Sequence, residues 1–189
     1  QAEAAMYLNS HLRIIAGAGS GKTRVLTYRI AYLIEEIGVH PSSILAITFT
    51  NKAANEMKKR VENILGVDAL GTLICTIHSL CVRILRQNIR VLGYPSQFII
   101  MDEEDQKSLL KKMFKDMNID AKVISYKSCL NYISSMKMAR VNPDNARDFA
   151  GNYAGEIKKA EVYKEYEKYK EEHYMLDFDD LLLKTLEIF

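Results

Sequence analysis

Short apolar runs alternate with helical periodicities over the first ninety or so residues. Leu12 to Ile15 and Ser43 to Phe49 are rich in β-branched residues, and the second follows a turn at Pro41. Runs of that length and composition suit buried parallel strands. Between them Val25, Ile30, Ala31, Leu33 and Ile34 recur at helical spacing, which predicts a helix and completes a strand–helix–strand unit. A further helix is expected from about Ala53 to Leu65, stopped by Gly66, then a strand over Thr72 to Thr76 that leads into a helix through Ile89. The pattern predicts an α/β fold, a mainly parallel sheet with helices on both faces.

The character changes near Gly93-Tyr94-Pro95. From Glu103 to Tyr174 the chain is helix-like with almost no β-branched runs, broken around Asn142-Pro143-Asp144-Asn145 and at Gly151 and Gly155. This segment reads as an all-helical inserted subdomain. Its last helix carries Ile157, Ala160, Tyr163, Tyr166 and Tyr169 at a spacing of three, with Lys and Glu on the other faces. A tyrosine stripe can stack bases, but a core-facing seam is the simpler reading. The chain begins at Gln1 without Met and closes inside an apolar pattern from Leu181 to Ile188 with no stop signal. It reads as a piece of something longer.

A length of 189 residues, 48% hydrophobic and 26% charged, suffices for a real core and suggests one domain with a substantial insertion. A net charge of +2 neither demands nor excludes nucleic acid, so local patches must decide. Cys75, Cys81 and Cys129 lack the paired spacing of a zinc site; buried thiols in a reducing compartment are expected, with no disulfide and no structural metal. No apolar run has membrane-spanning length and no secretion signal opens the chain, so no membrane partner and a cytoplasmic location are expected.

Residues 16–23, Ala-Gly-Ala-Gly-Ser-Gly-Lys-Thr, stand between the first predicted strand and its helix. Small residues let successive backbone N–H groups turn inward, and the helix adds its positive end, so a polyphosphate meets donors already aimed at it. Ala16, Gly17, Ala18, Gly19, Ser20 and Gly21 would form the cradle. Lys22 would bridge the outer phosphates, and Thr23 would offer its hydroxyl to Mg2+. The usual pattern opens with Gly where this chain has Ala16, a change that Gly17 and Gly19 make tolerable.

Two more polar clusters follow predicted strands. Thr48-Phe49-Thr50-Asn51-Lys52 places an aromatic ring, hydroxyls, an amide and a cation at a strand-to-helix junction. Hydroxyls and helix-start amides hold phosphates and an aromatic face accepts a base, yet a capped helix start with Phe49 in the core fits equally. Thr76-Ile77-His78-Ser79 repeats the chemistry, followed by Arg83, Arg86 and Arg90 at helical spacing, a row that solvated faces commonly carry.

Together, Ala-Gly-Ala-Gly-Ser-Gly-Lys-Thr-Arg-Val-Leu, Ile-Leu-Ala-Ile-Thr-Phe-Thr-Asn-Lys-Ala-Ala-Asn-Glu-Met, Thr-Ile-His-Ser-Leu-Cys-Val-Arg and Leu-Asp-Phe-Asp-Asp-Leu-Leu resemble the motifs of UvrD/PcrA/Rep-type superfamily 1 DNA helicases. The resemblance runs nearly from end to end. It implies a P-loop NTPase, RecA-like domain formed by residues 1–94 and 177–189, with residues 102–174 as its helical insertion. It implies ATP and Mg2+ as cofactors and 3′ to 5′ movement on single-stranded DNA and single/double-strand junctions. A second RecA-like domain of the same parent chain would be the partner in hydrolysis. By position, Gln1 and Arg24 resemble the adenine contacts, and Lys22 and Thr23 the phosphate and magnesium ligands. Phe49, Thr50 and Asn51 resemble the first single-strand contact motif, and Thr76 and His78 the second. Asp177, Asp179 and Asp180 match a short acidic motif whose carboxylates would repel phosphate and are expected to cap the next helix, with Phe178 between them.

Phe98-Ile99-Ile100-Met101-Asp102-Glu103 imitates a strand ending in the Asp-Glu of an ATPase. In the resembling family such a stretch opens the helical insertion, and the Asp-Glu motif lies downstream of Asp-Phe-Asp-Asp. The expectation is therefore a helicase fragment deficient in hydrolysis. The alternative is a nucleotide-gated single-strand-binding module without motor activity; a small-molecule kinase would explain neither strand-end motif.

Overall fold

The computed structural model describes residues 1–8, 10–17 and 19–189. Two compact units divide at Leu80, inside a helix.

In the first unit, α1 (Ala2–Met6) precedes the glycine-rich segment, and α2 (Lys22–Glu35) follows it. β1 (Leu45–Thr48), α3 (Asn51–Leu65) and β2 (Leu73–Thr76) form the strand–helix–strand crossover. The strands pair in parallel with Leu45 opposite Leu73 and Thr48 opposite Thr76; a parallel pair needs such a long connection because its strands run the same way. Thr50 caps α3, its hydroxyl accepting from the Ala53 N–H at 3.1 Å. Gly66, at positive φ, ends the helix. Ala54, Met57, Val61 and Leu65 line its buried face, and the last three share a core with Ile30 and Ala31 of α2. Ala46 and Ile74 pack against that core from the strands.

Two expectations change here. Leu12 to Ile15 forms no strand, and Ile15 is 84% exposed; a parallel strand exists only against a neighbour, and β1 and β2 form a sheet of two. Nor is the sheet covered on both faces among the described residues. The cores of α2 and α3 lie on the Ala46 side, while Leu45 and Ile47 are roughly half exposed.

The second unit begins within α4 (Ile77–Asn88). β3 (Ile99–Ile100) leads into α5 (Glu103–Asp116), α6 (Tyr126–Met138), the short α7 (Ala146–Phe149) and α8 (Ala154–Glu172). β4 (Met175–Leu176) then pairs in parallel with β3, and α9 (Phe178–Ile188) closes the chain. The expected helical run is present; Gly151 sits in a left-handed turn at φ 56°, but Gly155 lies inside α8. Leu110 and Phe114 of α5, Cys129 and Ile133 of α6, and Ala160, Tyr163 and Tyr166 of α8 share one core. The tyrosine stripe is thus mainly a packing seam. Burial pushes the Cys129 thiol up to about 12, so it stays protonated. A separate cluster joins Cys81, Leu85 and Ile89 to Phe98, Leu176 and Leu181. Among the described residues no helix is long and apolar enough to cross a membrane.

Candidate functional site

The glycine-rich segment before α2 shapes itself with glycine. Gly19 and Gly21 adopt φ of 76° and 88°, a left-handed conformation that side-chain-bearing residues resist, and Gly21 is the N-cap of α2. The Ser20 hydroxyl donates to the Gly17 carbonyl at 2.7 Å. The Lys22 ammonium folds back over the loop, donating to the carbonyls of Ala16 at 2.6 Å and Gly17 at 2.7 Å. Thr23, one residue into α2, is exposed. Ala18, assigned to the cradle by sequence, lies outside the described residues.

Gln1 reaches this loop across nineteen positions, its side-chain amide donating to the Ser20 carbonyl at 2.8 Å. A Cβ added at Gly21 would meet that amide at 3.0 Å, a contact the flexible glutamine end can relieve, so it is the φ of 88° that requires glycine there. Beside it, Gln1, Ala5, Met6, Arg24, Tyr28 and Tyr32 line a cavity of about 360 Å3. The Arg24 guanidinium stands over the Tyr28 ring at 5.5 Å. Sequence reasoning passes over Tyr28 and Tyr32, although their i, i+4 spacing after Arg24 was the available signal. It also passes over Arg29, which donates to the Tyr7 carbonyl at 2.6 Å and so holds the end of α1 to α2.

The second cluster assembles where β1 and β2 end side by side. Phe49 directly follows β1 and is fully exposed, with a relative accessibility of 104%; the alternative that places it in the core is excluded. Thr50 serves as the cap of α3, and the Thr48 hydroxyl donates to the Thr50 carbonyl at 3.0 Å. The buried Thr76 hydroxyl lies 3.5 Å from the Asn51 amide oxygen and 2.9 Å from the Ser79 hydroxyl, and accepts from the Ser79 N–H at 3.2 Å. Asn51 and Thr76 thus tie the two strand ends together. His78, half-buried, sits in the first turn of α4. The arrangement is a hydrogen-bonded ledge of hydroxyls and a side-chain amide from which the Phe49 ring projects, exposed.

The imitation ATPase motif resolves differently. β3 is only two residues long, and Asp102 caps α5, accepting from the N–H groups of Glu104 at 2.8 Å and Asp105 at 2.9 Å while Asp105 returns the bond. Arg86 of the arginine row donates to the Phe98 carbonyl at 2.9 Å, with its guanidinium 3.9 Å from the centre of the Phe98 ring.

A glycine-turned loop feeds a helix N-terminus in one unit with a parallel strand–helix–strand crossover, an arrangement of the α/β class. Along its whole length, residues 1–189, the chain matches the family model of the UvrD/REP helicase N-terminal domain, and it belongs to that family, which implies a RecA-like α/β fold. It is 48% identical over 189 residues to the ATP-dependent DNA helicase PcrA of Bacillus subtilis, 46% to that of Staphylococcus epidermidis and 44% to that of Staphylococcus aureus. All of this chain is covered in each comparison, but only 25% or 26% of those relatives, so it spans about a quarter of their length.

Proposed function

We propose that this chain is the ATP-binding and single-strand-gripping part of an ATP-dependent DNA helicase. The observation that carries the reading is Phe49, fully exposed at the ledge where two parallel strands end, in the same unit as the Gln1-braced phosphate loop. Residues 1–94 and 177–189 would constitute the RecA-like domain and residues 102–174 its insertion. The β3–β4 pairing supports those borders, since it sets residues 99–100 beside 175–176, where the insertion leaves and returns.

The loop suits a nucleotide triphosphate and Mg2+. Nothing lies within 4 Å of a Cβ built on Gly17 or Gly19, leaving the backbone open to close approach. Lys22 would exchange its two carbonyl partners for the outer phosphates, the N–H groups at the start of α2 would hold the rest, and Thr23 would take the metal. Gln1, Arg24 and the tyrosine-lined cavity would seat the base. Magnesium would neutralise charge on the phosphates when bound. Phe49 would stack a base while Thr50, Asn51, Thr76 and His78 hold the strand, and alternation of that grip with nucleotide state would move it.

This chain alone would bind nucleotide weakly and turn it over negligibly, because the Asp102 carboxylate is committed to capping α5 and the second RecA-like domain with its arginines would complete catalysis. Phosphate release measured with and without single-stranded DNA tests this. Release stimulated by DNA and abolished by Asp102→Ala would overturn it. A fluorescent ATP analogue with Mg2+ should bind to the chain and fail to bind to the Lys22→Ala variant.

A further inference from the structure

The second unit brings five charged side chains together in one place, four of them buried. Lys137 of α6 and Lys170 of α8 are 4% and 1% exposed, and their ammonium groups meet the same three carboxylates: Glu167 of α8, Asp177 at the N-cap of α9 and Asp180 in its first turn. The Lys137 nitrogen lies 2.8 Å from both Asp177 oxygens and 3.3 Å from Glu167. The Lys170 nitrogen lies 2.9 Å from Asp177 and 2.9 Å from Glu167. The buried Tyr166 hydroxyl adds a bond to Asp177 at 3.1 Å.

These carboxylates also build a helix end. Asp177 accepts from the Asp180 N–H and Asp180 from the Asp177 N–H, each at 3.0 Å, a reciprocal cap for α9. Hence the groups that start α9 are the groups the lysines hold. The three carboxylates lie within 4.8 Å of one another, the spacing of a cation site, but the two ammonium groups already occupy it.

We propose that Lys137 and Lys170 are positioning residues that fasten the first turn of α9, which carries Phe178 and Asp179, to α6 and α8, so that the helical bundle and α9 move as one body. Lys137 supplies the non-local half, since it reaches Asp177 across 40 residues. The inference is independent of nucleotide or DNA binding.

The charges make the fastening conditional. Two ammonium groups face three carboxylates, leaving one surplus negative charge, and Glu167 is the most exposed of the five, at 24% for its side chain. From α6 it faces Lys137, from α8 Lys170, and from α9 Asp177 and Asp180. Around the cavity of about 540 Å3 that it lines stand Tyr94, Arg140, Tyr163, Glu171, Lys184 and Glu187. Burial raises the Glu167 carboxyl, opposed by Lys170. A raised folded value means that its stabilising contribution is complete below the unfolded value and is lost as pH rises through the folded one.

Hydrogen exchange of the Asp180 and Leu181 amides, against α5 amides as reference, tests the proposal in the 189-residue chain. Lys137→Met and Lys170→Met keep the packed stem and strip the charge; each should speed α9 exchange by about 100-fold or more relative to α5. Adding Asp180→Asn to Lys170→Met should recover about tenfold of that by removing one of the two surplus negative charges then left around Lys137. Glu167→Gln should preserve protection and flatten its dependence on pH above the ordinary carboxylate range, the direction in which burial raises the Glu167 carboxyl. Unchanged α9 exchange in both lysine variants, or acceleration equal in α5 and α9 with no recovery by Asp180→Asn, would overturn the proposal. If neither lysine variant folds, Asp177→Asn, which weakens the shared anchor while keeping its shape, decides, and α9 exchange unchanged relative to α5 in that variant overturns it.

Discussion

Replacing Phe49 with Ala separates grip from fold. The ring is fully exposed, with a relative accessibility of 104%, so its removal opens no cavity, and stability should change by less than about 0.5 kcal/mol. Its loss should matter only to a ligand that stacks on it. One base–aromatic stack is worth about 1–3 kcal/mol, equivalent to a loss of about 5- to 150-fold in affinity. Fluorescence anisotropy of a labelled oligothymidylate at fixed salt reads that loss, while urea unfolding of the same samples reads stability; salt must be matched because phosphate contacts respond to it steeply. An unaltered Kd would refute the stacking role. An affinity that falls together with stability would refute the argument that Phe49 is unsupported by the fold.

Thr50→Ala removes the α3 cap and should cost about 1 kcal/mol of stability in the same urea assay, with a smaller effect on oligothymidylate affinity than Phe49→Ala. Asp102→Ala should likewise destabilise by about 1 kcal/mol through the lost α5 cap while leaving affinity for the ATP analogue unchanged in a fluorescence titration. Acid should loosen α9. Burial alone would lift the Asp177 carboxyl, but Lys170 and Lys137 hold it well below the usual carboxylate range. With the folded value depressed, its contribution is complete above the unfolded value of about 3.9 and drains away as pH falls below it. Protection of the Leu181 amide should therefore decline below about pH 4, as hydrogen exchange would record.

What could be read from the residues was whatever local chemistry dictates. Thr50 and Asp177 announce helix starts through their short oxygen-bearing side chains, and β1, β2, α2 and α3 emerge near their expected bounds because their apolar spacing faces a single core. Leu12 to Ile15 carried an equally good strand signal, but strand formation depends on a neighbour, which no local pattern encodes. Phe49 stood undecided between core and surface until the packing of α3 was known. The lysine cage was invisible for a different reason. Lys137 and Lys170 sit in polar helical stretches where a charged residue ordinarily faces water, and Asp177, the carboxylate they share, is 40 residues from one and seven from the other. The aspartates were expected as caps; that their caps are buried and neutralised depends on how α6, α8 and α9 pack.

The phenols around that cage give the molecule an internal spectroscopic gauge. Burial, reinforced by neighbouring carboxylates, pushes Tyr163 and Tyr166 far above the ordinary tyrosine value and Tyr94 up to about 12. The chain has eleven tyrosines and no tryptophan, so its near-ultraviolet absorbance is mainly phenolic. In an alkaline titration the surface rings should ionise gradually, and the buried ones should join them in a late, cooperative step that marks the opening of the helical bundle without any attached dye.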